Sequence, residues 1–183
     1  MRIISGRFGG RRINPPAKMP HTRPTTDIAK EGLFNIIQNR VVIEGAATLD
    51  LFGGTGSISY ELASRGANDL TIVEKDNQMH AFIKENIAKL GIEHCRVLKM
   101  DVFTFLQSCS QQYDIIFAGP PYALGAIDEI PRLIVEKGLI APGGYFILEH
   151  TPRNNYTDFP GFSFQRNYGT TVFSFFEPIP AVQ

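Results

Sequence analysis

Apolar residues in this chain follow two rhythms. Five short runs, ATLDLF (47–52), LTIVEK (70–75), CRVLKM (95–100), YDIIFA (113–118) and YFILEH (145–150), predict strands. Between them, stretches near 57–65, 77–90, 102–109 and 126–137 read as helices. Strands alternating with helices imply βαβ units, a parallel sheet and helices on both of its faces. Ahead of this series, TRPTTDIAKEGLFNIIQN predicts a loop and then a helix, with Thr25 or Thr26 as N-cap and Asp27 in the first turn. Ile28, Leu33, Phe34, Ile36 and Ile37 would face inward. In the tail, FSFQRNYGTTVFSFFEP has two β-rich segments around Tyr168-Gly169, which predict a closing antiparallel hairpin. The opening MRIISGRFGGRRINPP predicts a small hairpin turning at Gly9-Gly10, outside the main sheet. The expected architecture is α/β, with a mostly parallel seven-stranded sheet. A basic hairpin arm over residues 1–24 would precede a single domain over 25–183.

Composition supports one domain, since 183 residues at 43% apolar content suffice for a substantial core and no second composition regime is present. Charge changes the picture more. The net charge is zero, yet residues 1–40 hold Arg2, Arg7, Arg11, Arg12, Lys18, Arg23, Lys30 and Arg40 against Asp27 and Glu31, which is +6 and leaves −6 for the remainder. Such asymmetry points to an arm that meets a polyanion, or to a solvated terminus. Cys95 and Cys109 lack CxxC or Cys/His spacing and read as reduced core thiols, with no metal site. No apolar signal core opens the chain, and no apolar run approaches the roughly 20 residues that span a bilayer, so a soluble, cytoplasmic protein without a membrane partner is expected.

The candidate chemistry begins with LDLFGGTGSIS. Gly53, Gly54 and Gly56 fall where the first strand turns into the first helix, which lets backbone and helix N-terminus approach a ligand. Glu74 ends the second strand, 18 residues after Gly56, where a carboxylate can accept from both hydroxyls of a ribose. In one βαβ unit, these features favour an adenosine-containing ligand over a tight turn with a surface carboxylate. Both NAD and S-adenosylmethionine fit. Ser59 stands where a dinucleotide fingerprint wants its third Gly or Ala, which weakens the pyrophosphate reading. Asp50 and Asp101 add polar groups at the same edge of the sheet, and Asp101 could equally cap the helix beginning at Val102.

The order LDLFGGTG, VEKD, MDVF, FAGPPY resembles the class I S-adenosylmethionine-dependent methyltransferases, which have a Rossmann-like fold. RIISGRFGGRRI, TRPTTD and KEGLFNII are similar to the bacterial 16S rRNA (guanine(966)-N2)-methyltransferase family, and the resemblance covers nearly the whole chain. It implies a cofactor site at Asp50, Phe52, Gly53, Gly54, Gly56, Glu74, Lys75, Asp101 and Val102, with S-adenosylhomocysteine as product. It implies catalysis at Gly119, Pro120, Pro121 and Tyr122, matching a [D/N]PP[Y/F] corner. There the first residue and the first proline's carbonyl accept from the target amine while the aromatic ring stacks on the base, a positioning role that needs no separate nucleophile. The implied substrate is a flipped or single-stranded guanine in 16S rRNA, naked or within an assembling small subunit. Arg2, Arg7, Arg11, Arg12, Lys18 and Arg23 would contact RNA phosphates, with His21 as a further polar contact. Tyr168 would pack beside the base or, as an ordinary tyrosine, in the core. The protein would be a monomer.

Gly119 departs from the pattern by lacking the acceptor side chain. Loss of one such group lowers rates by about 10²–10³ where it has been removed from an oxyanion hole. Three explanations follow: an inactivating change, a Pro120 carbonyl that suffices, or a silent protein that binds cofactor and RNA.

Overall fold

The elements, in a computed structural model that describes residues 1–19 and 25–180, are α1 (Asp27–Arg40), β1 (Ala47–Leu51), α2 (Ser57–Ser64), β2 (Asp69–Val73), α3 (Asn77–Leu90), β3 (Cys95–Leu98), α4 (Val102–Ser108), β4 (Tyr113–Ala118), α5 (Glu129–Glu136), β5 (Ile140–His150), β6 (Phe162–Tyr168) and β7 (Thr171–Phe176). Helix starts follow their caps. Thr26 accepts from the Ala29 amide, Asp76 from Met79 and Asp101 from Phe103 and Thr104. The strands form one seven-stranded sheet ordered β3-β2-β1-β4-β5-β7-β6, parallel from β3 to β5 and antiparallel across β7 and β6. This is the class I methyltransferase arrangement.

Alternation along the strands divides the core between two faces. Ile116, Ala118, Phe146 and Leu148 pack with α4 and α5, while Ile115, Phe117, Ile147 and Phe173 pack with α1 and α2. A third cluster joins Ile3, Phe8 and Ile13 of the N-terminal segment to Tyr60, Ile72, Ile83 and Ile87.

Several local expectations change. The last parallel strand begins at Ile140 rather than Tyr145, because its register shifts against β4 between Tyr113 and Ile115. Ile28 is 78% exposed, since the inward stripe of α1 runs through Ala29, Lys30, Leu33, Phe34 and Ile37. Ile36 is half-buried beside that stripe. Cys95 is half-buried and Cys109 buried, both free. Tyr168 is half-buried against the core: its ring tilts against Phe173 and closes over Gly32, where a Cβ would lie 2.4 Å from it.

The N-terminal hairpin forms through a bridge between Arg2 and Arg12, with the Ile3 amide donating to the Arg11 carbonyl and the Gly10 amide to Ile3. Its anchor is Glu61, fully buried in α2, which accepts from the amides of Ile4 (2.8 Å) and Ser5 (3.1 Å) and pairs with Lys30 (3.1 Å) and Arg65 (3.0 Å). Lys30 also donates to the Arg2 carbonyl at 3.0 Å. Burial depresses the Lys30 ammonium, partly offset by Glu61. Burial alone would raise the Glu61 carboxyl, but the Ile4 amide, Lys30 and Arg65 together hold it below the ordinary range. The Lys30 shift opposes the charged pair and the Glu61 shift favours it. The geometry decides for the ionised pair, because both contacts of Lys30 are acceptors and all four contacts of Glu61 are donors. Lys30 is therefore an internal charge and does not face a polyanion.

Glu61→Ala strips Lys30 of its counter-charge and two arm amides of their acceptor. Urea denaturation is expected to show a loss of about 3–5 kcal/mol. A loss under about 1 kcal/mol, the ordinary worth of one hydrogen bond, would show that the hairpin is anchored by its apolar residues alone.

Candidate active site

Strand order reverses between β1 and β4, so the helices that follow these neighbours leave toward opposite faces and a crevice opens at their carboxyl ends. A cavity of about 680 Å³ fills it, within the size range of small-molecule sites. Its walls come from the ends of β1, β2, β4 and β5 and from the turn after β3.

One half is built on the glycine turn. Phe52 holds φ 62°, and Gly54 and Gly56 also have positive φ, so the chain reverses tightly between β1 and α2. Gly53 has ordinary φ but no room, because a Cβ there would lie 2.5 Å from the Ile72 Cγ2. Glu74 directly follows β2, with Oε1 accepting from the Gly54 amide (2.8 Å) and Oε2 from the Asp76 amide (2.9 Å). Two amides thus fix its carboxylate, and each oxygen keeps a lone pair for a ligand hydroxyl. Asp50 is buried at the end of β1 and accepts from the Ser59 hydroxyl at 2.7 Å. Burial pushes its carboxyl up to about 7; the Ser59 hydrogen bond opposes this rise and the Glu74 charge adds to it. A cation entering the cavity would tip Asp50 to its charged form. Ser59, the residue that breaks the dinucleotide fingerprint, thus has a structural partner in Asp50.

The other half is the Gly119–Tyr122 corner after β4. The Tyr122 hydroxyl donates to Glu149 Oε2 at 3.4 Å, and Thr25 donates to Glu149 Oε1 at 2.6 Å. Burial raises the Glu149 carboxyl above the usual range, with the Thr25 and Tyr122 hydrogen bonds opposing the rise.

Of the residues singled out for a cofactor, Asp50, Phe52, Gly53, Gly54, Glu74, Lys75, Asp101 and Val102 line the cavity, and Gly56 does not. Gly56 acts in the turn behind it, where a Cβ would strike the Tyr60 ring at 2.4 Å. Asp101 caps α4 and lines the cavity, so both of its readings hold geometrically. Gly119, Pro120, Pro121 and Tyr122 all line it. Arg2, Arg7, Arg11, Arg12 and Lys18 are exposed and do not. Arg7 and Arg11 sit over the Phe8 ring at 5.1 and 5.3 Å. Both ends of the described arm reach the cavity rim, Met1 through the Thr55 hydroxyl and Met19 as a lining residue. Arg23 and His21 lie outside the described residues. Among the described residues, no cluster suited to a metal ion occurs. Sequence reasoning passed over Thr25 and Glu149. The signal for Glu149 was the acidic residue closing YFILEH, a strand end at the same edge as Asp50 and Glu74.

Residues 1–177 match the family described as "Conserved hypothetical protein 95". The ribosomal RNA small subunit methyltransferase D of Escherichia coli K12 is 32% identical over 160 residues, 87% of this chain and 79% of that protein. A hypothetical protein of Thermus thermophilus superposes with a TM-score of 0.84 at 27% identity, over 97% of this chain and 99% of that one. The T. thermophilus 16S rRNA N2 G1207 methyltransferase RsmC, solved with AdoMet and guanosine, shares the fold with a TM-score of 0.67 at 24% identity, over 85% of this chain and 44% of that one.

Gly53→Ala drives a methyl into Ile72 and Ile83 of the core cluster behind the glycine turn. Thermal and urea denaturation are expected to show a loss of about 1–3 kcal/mol from overpacking, and an unchanged stability would mean that β2 can retreat without cost.

Proposed function

Because the chain belongs to the conserved hypothetical protein 95 family and is 32% identical to the E. coli small-subunit rRNA methyltransferase D, we propose that it transfers a methyl group from S-adenosylmethionine to the exocyclic N2 of a guanine in 16S rRNA. One observation carries the reading. A single cavity runs from the glycine turn and Glu74 to the Pro120–Tyr122 corner, which gives a methyl donor and a base one shared space.

The residues fit S-adenosylmethionine. Glu74 accepts from the ribose hydroxyls with a carboxylate already aimed by two amides. Asp101 and Val102 border the adenine, the glycine turn lets the backbone approach, and Asp50 offers a carboxylate that a cation would ionise. When bound, this cofactor presents a methyl on sulfonium sulfur, and the N2 lone pair takes the carbon as the C–S bond breaks and its electron pair stays on sulfur. The chain's part is positioning. Tyr122 stacks on the guanine, and the Pro120 carbonyl accepts from the amine. A guanine must leave its helix to reach this corner.

Arg2, Arg7, Arg11, Arg12 and Lys18, exposed on an arm whose ends Met1 and Met19 reach the cavity rim, neutralise rRNA phosphates, as does Arg23 in this reading. The arm, residues 1–24, is the RNA-contacting part, and the cytoplasm is the compartment where the reaction proceeds. The enzyme acts as a monomer on rRNA, naked or in an assembling small subunit. Gly119 favours a second reading, a silent protein that binds cofactor and RNA without transfer.

Radiolabelled methyl transfer to 16S rRNA beside calorimetry of cofactor binding separates the two, since the silent protein binds and does not transfer. Glu74→Ala is expected to weaken S-adenosylmethionine binding by about 1.5–3 kcal/mol; unchanged affinity would place the ribose elsewhere. The triple substitution Arg7→Gln, Arg11→Gln, Arg12→Gln should weaken filter-retained rRNA and flatten its log affinity against log salt by about two. An unaltered slope would show that these cations do not meet phosphate.

A further inference from the structure

We propose that Glu149 supplies the acceptor that residue 119 lacks, taking a hydrogen bond from the target amine through Oε2. This rests on the guanine-N2 reading above and names the residue that completes it.

Three observations bear on it. In the parallel pairing of β4 with β5, Ala118 is opposite Leu148, so the next residues, Gly119 just past β4 and Glu149 still within β5 and paired with Phe173 of β7, lie side by side at the carboxyl edge of the sheet. A Cβ built on Gly119 would find Glu149 Oε2 at 3.9 Å, the nearest polar atom beyond the chain neighbours. Glu149 is also a cavity residue, 4% exposed, held by two hydroxyls and by no cation among the described residues. An uncompensated buried carboxylate is costly, and a cleft that retains one is a functional-site candidate. A structural tether for Thr25 alone would be served by an uncharged acceptor.

Oε1 is taken by Thr25 and Oε2 has the longer contact with Tyr122, so Oε2 is the oxygen with capacity for an amine. Its hydrogen bond turns the N2 lone pair away from the ring and toward the methyl carbon. As the N–C bond forms and the C–S bond breaks with its pair going to sulfur, N2 becomes cationic. Its surplus proton passes to Glu149 Oε2 and then to solvent. Burial raises the Glu149 carboxyl, which suits a group receiving that proton. At Gly119, φ lies outside the left-handed region and the nearest obstacle is the Phe117 ring edge at 3.1 Å, so an aspartate can be installed there by a small ring movement.

The test compares single-turnover methyl transfer at saturating cofactor and rRNA, with the methylated nucleoside identified by mass spectrometry after digestion. Glu149→Gln and Glu149→Ala are expected to slow transfer by about 100-fold or more, with S-adenosylmethionine affinity by calorimetry within about twofold of the native value, well under one hydrogen bond's worth. Thr25→Val, which removes the tether and leaves the carboxylate, should lose far less. Adding Gly119→Asp to Glu149→Ala should recover at least about tenfold, because the new carboxylate serves the same amine. Transfer by Glu149→Ala at the native rate would overturn the proposal. So would a loss matched by Thr25→Val and unrescued by Gly119→Asp, which would reduce Glu149 to a tether. A native protein that methylates no guanine N2 would instead remove the reading on which the proposal stands.

Discussion

The site depends on one topological constraint, the contact between β1 and β4. These strands are neighbours in space, and α2 and α5, which follow them, cover opposite faces of the sheet. No helix can then cover their carboxyl ends, and the opening must be walled by side chains and turns. Backbone bonds hold both turns in place, with the Gly53 amide donating to Val73 and the Gly119 amide to Leu51. The glycine turn and the proline corner therefore face one cavity because the sheet leaves them no alternative.

The N-terminal segment shows how charge and packing divide one stretch of chain. Its arginines are solvent-facing, while Ile3, Phe8 and Ile13 complete an apolar cluster over α2 and α3. A buried carboxylate at Glu61 ties the two functions together by accepting from arm amides and pairing with Lys30 of α1. An arm so anchored is fixed to the body of the protein, and its exposed cations are held with it.

The parallel core, the closing hairpin and the glycine turn were legible in the sequence because each rests on local signals: apolar alternation, a Tyr-Gly turn, glycines after a strand. Elements that depend on distant partners were not. Lys30 counts as a surface charge until Glu61, 31 residues later, is seen beneath it. Ile28 reads as core by its type and lies off the stripe by its phase. Glu149 is an ordinary strand end until the β4–β5 register puts it beside Gly119, and Thr25 is a candidate helix cap until its hydroxyl is found on Glu149. For the corner itself, sequence could show which acceptor was missing, but only pairing register could show what lay next to the gap.

That gap illustrates a general point about positioning catalysis. What an amine needs is an acceptor at a place, and a parallel sheet offers that place from two adjacent strand ends. A short aspartate on the β4 exit would be rigid by its length. A glutamate from β5 reaches the same space on a longer side chain, and here Thr25 and Tyr122 share its restraint, so that either contact alone still holds the carboxylate near the corner. Tyr122 is the ring assigned to stack on the base, and Thr25 stands where the N-terminal segment enters α1. In the proposed arrangement, a carboxylate at Glu149 would link three tasks that an aspartate at 119 would leave separate: holding the base, aiming its amine, and seating the chain that leads in from the N-terminal arm.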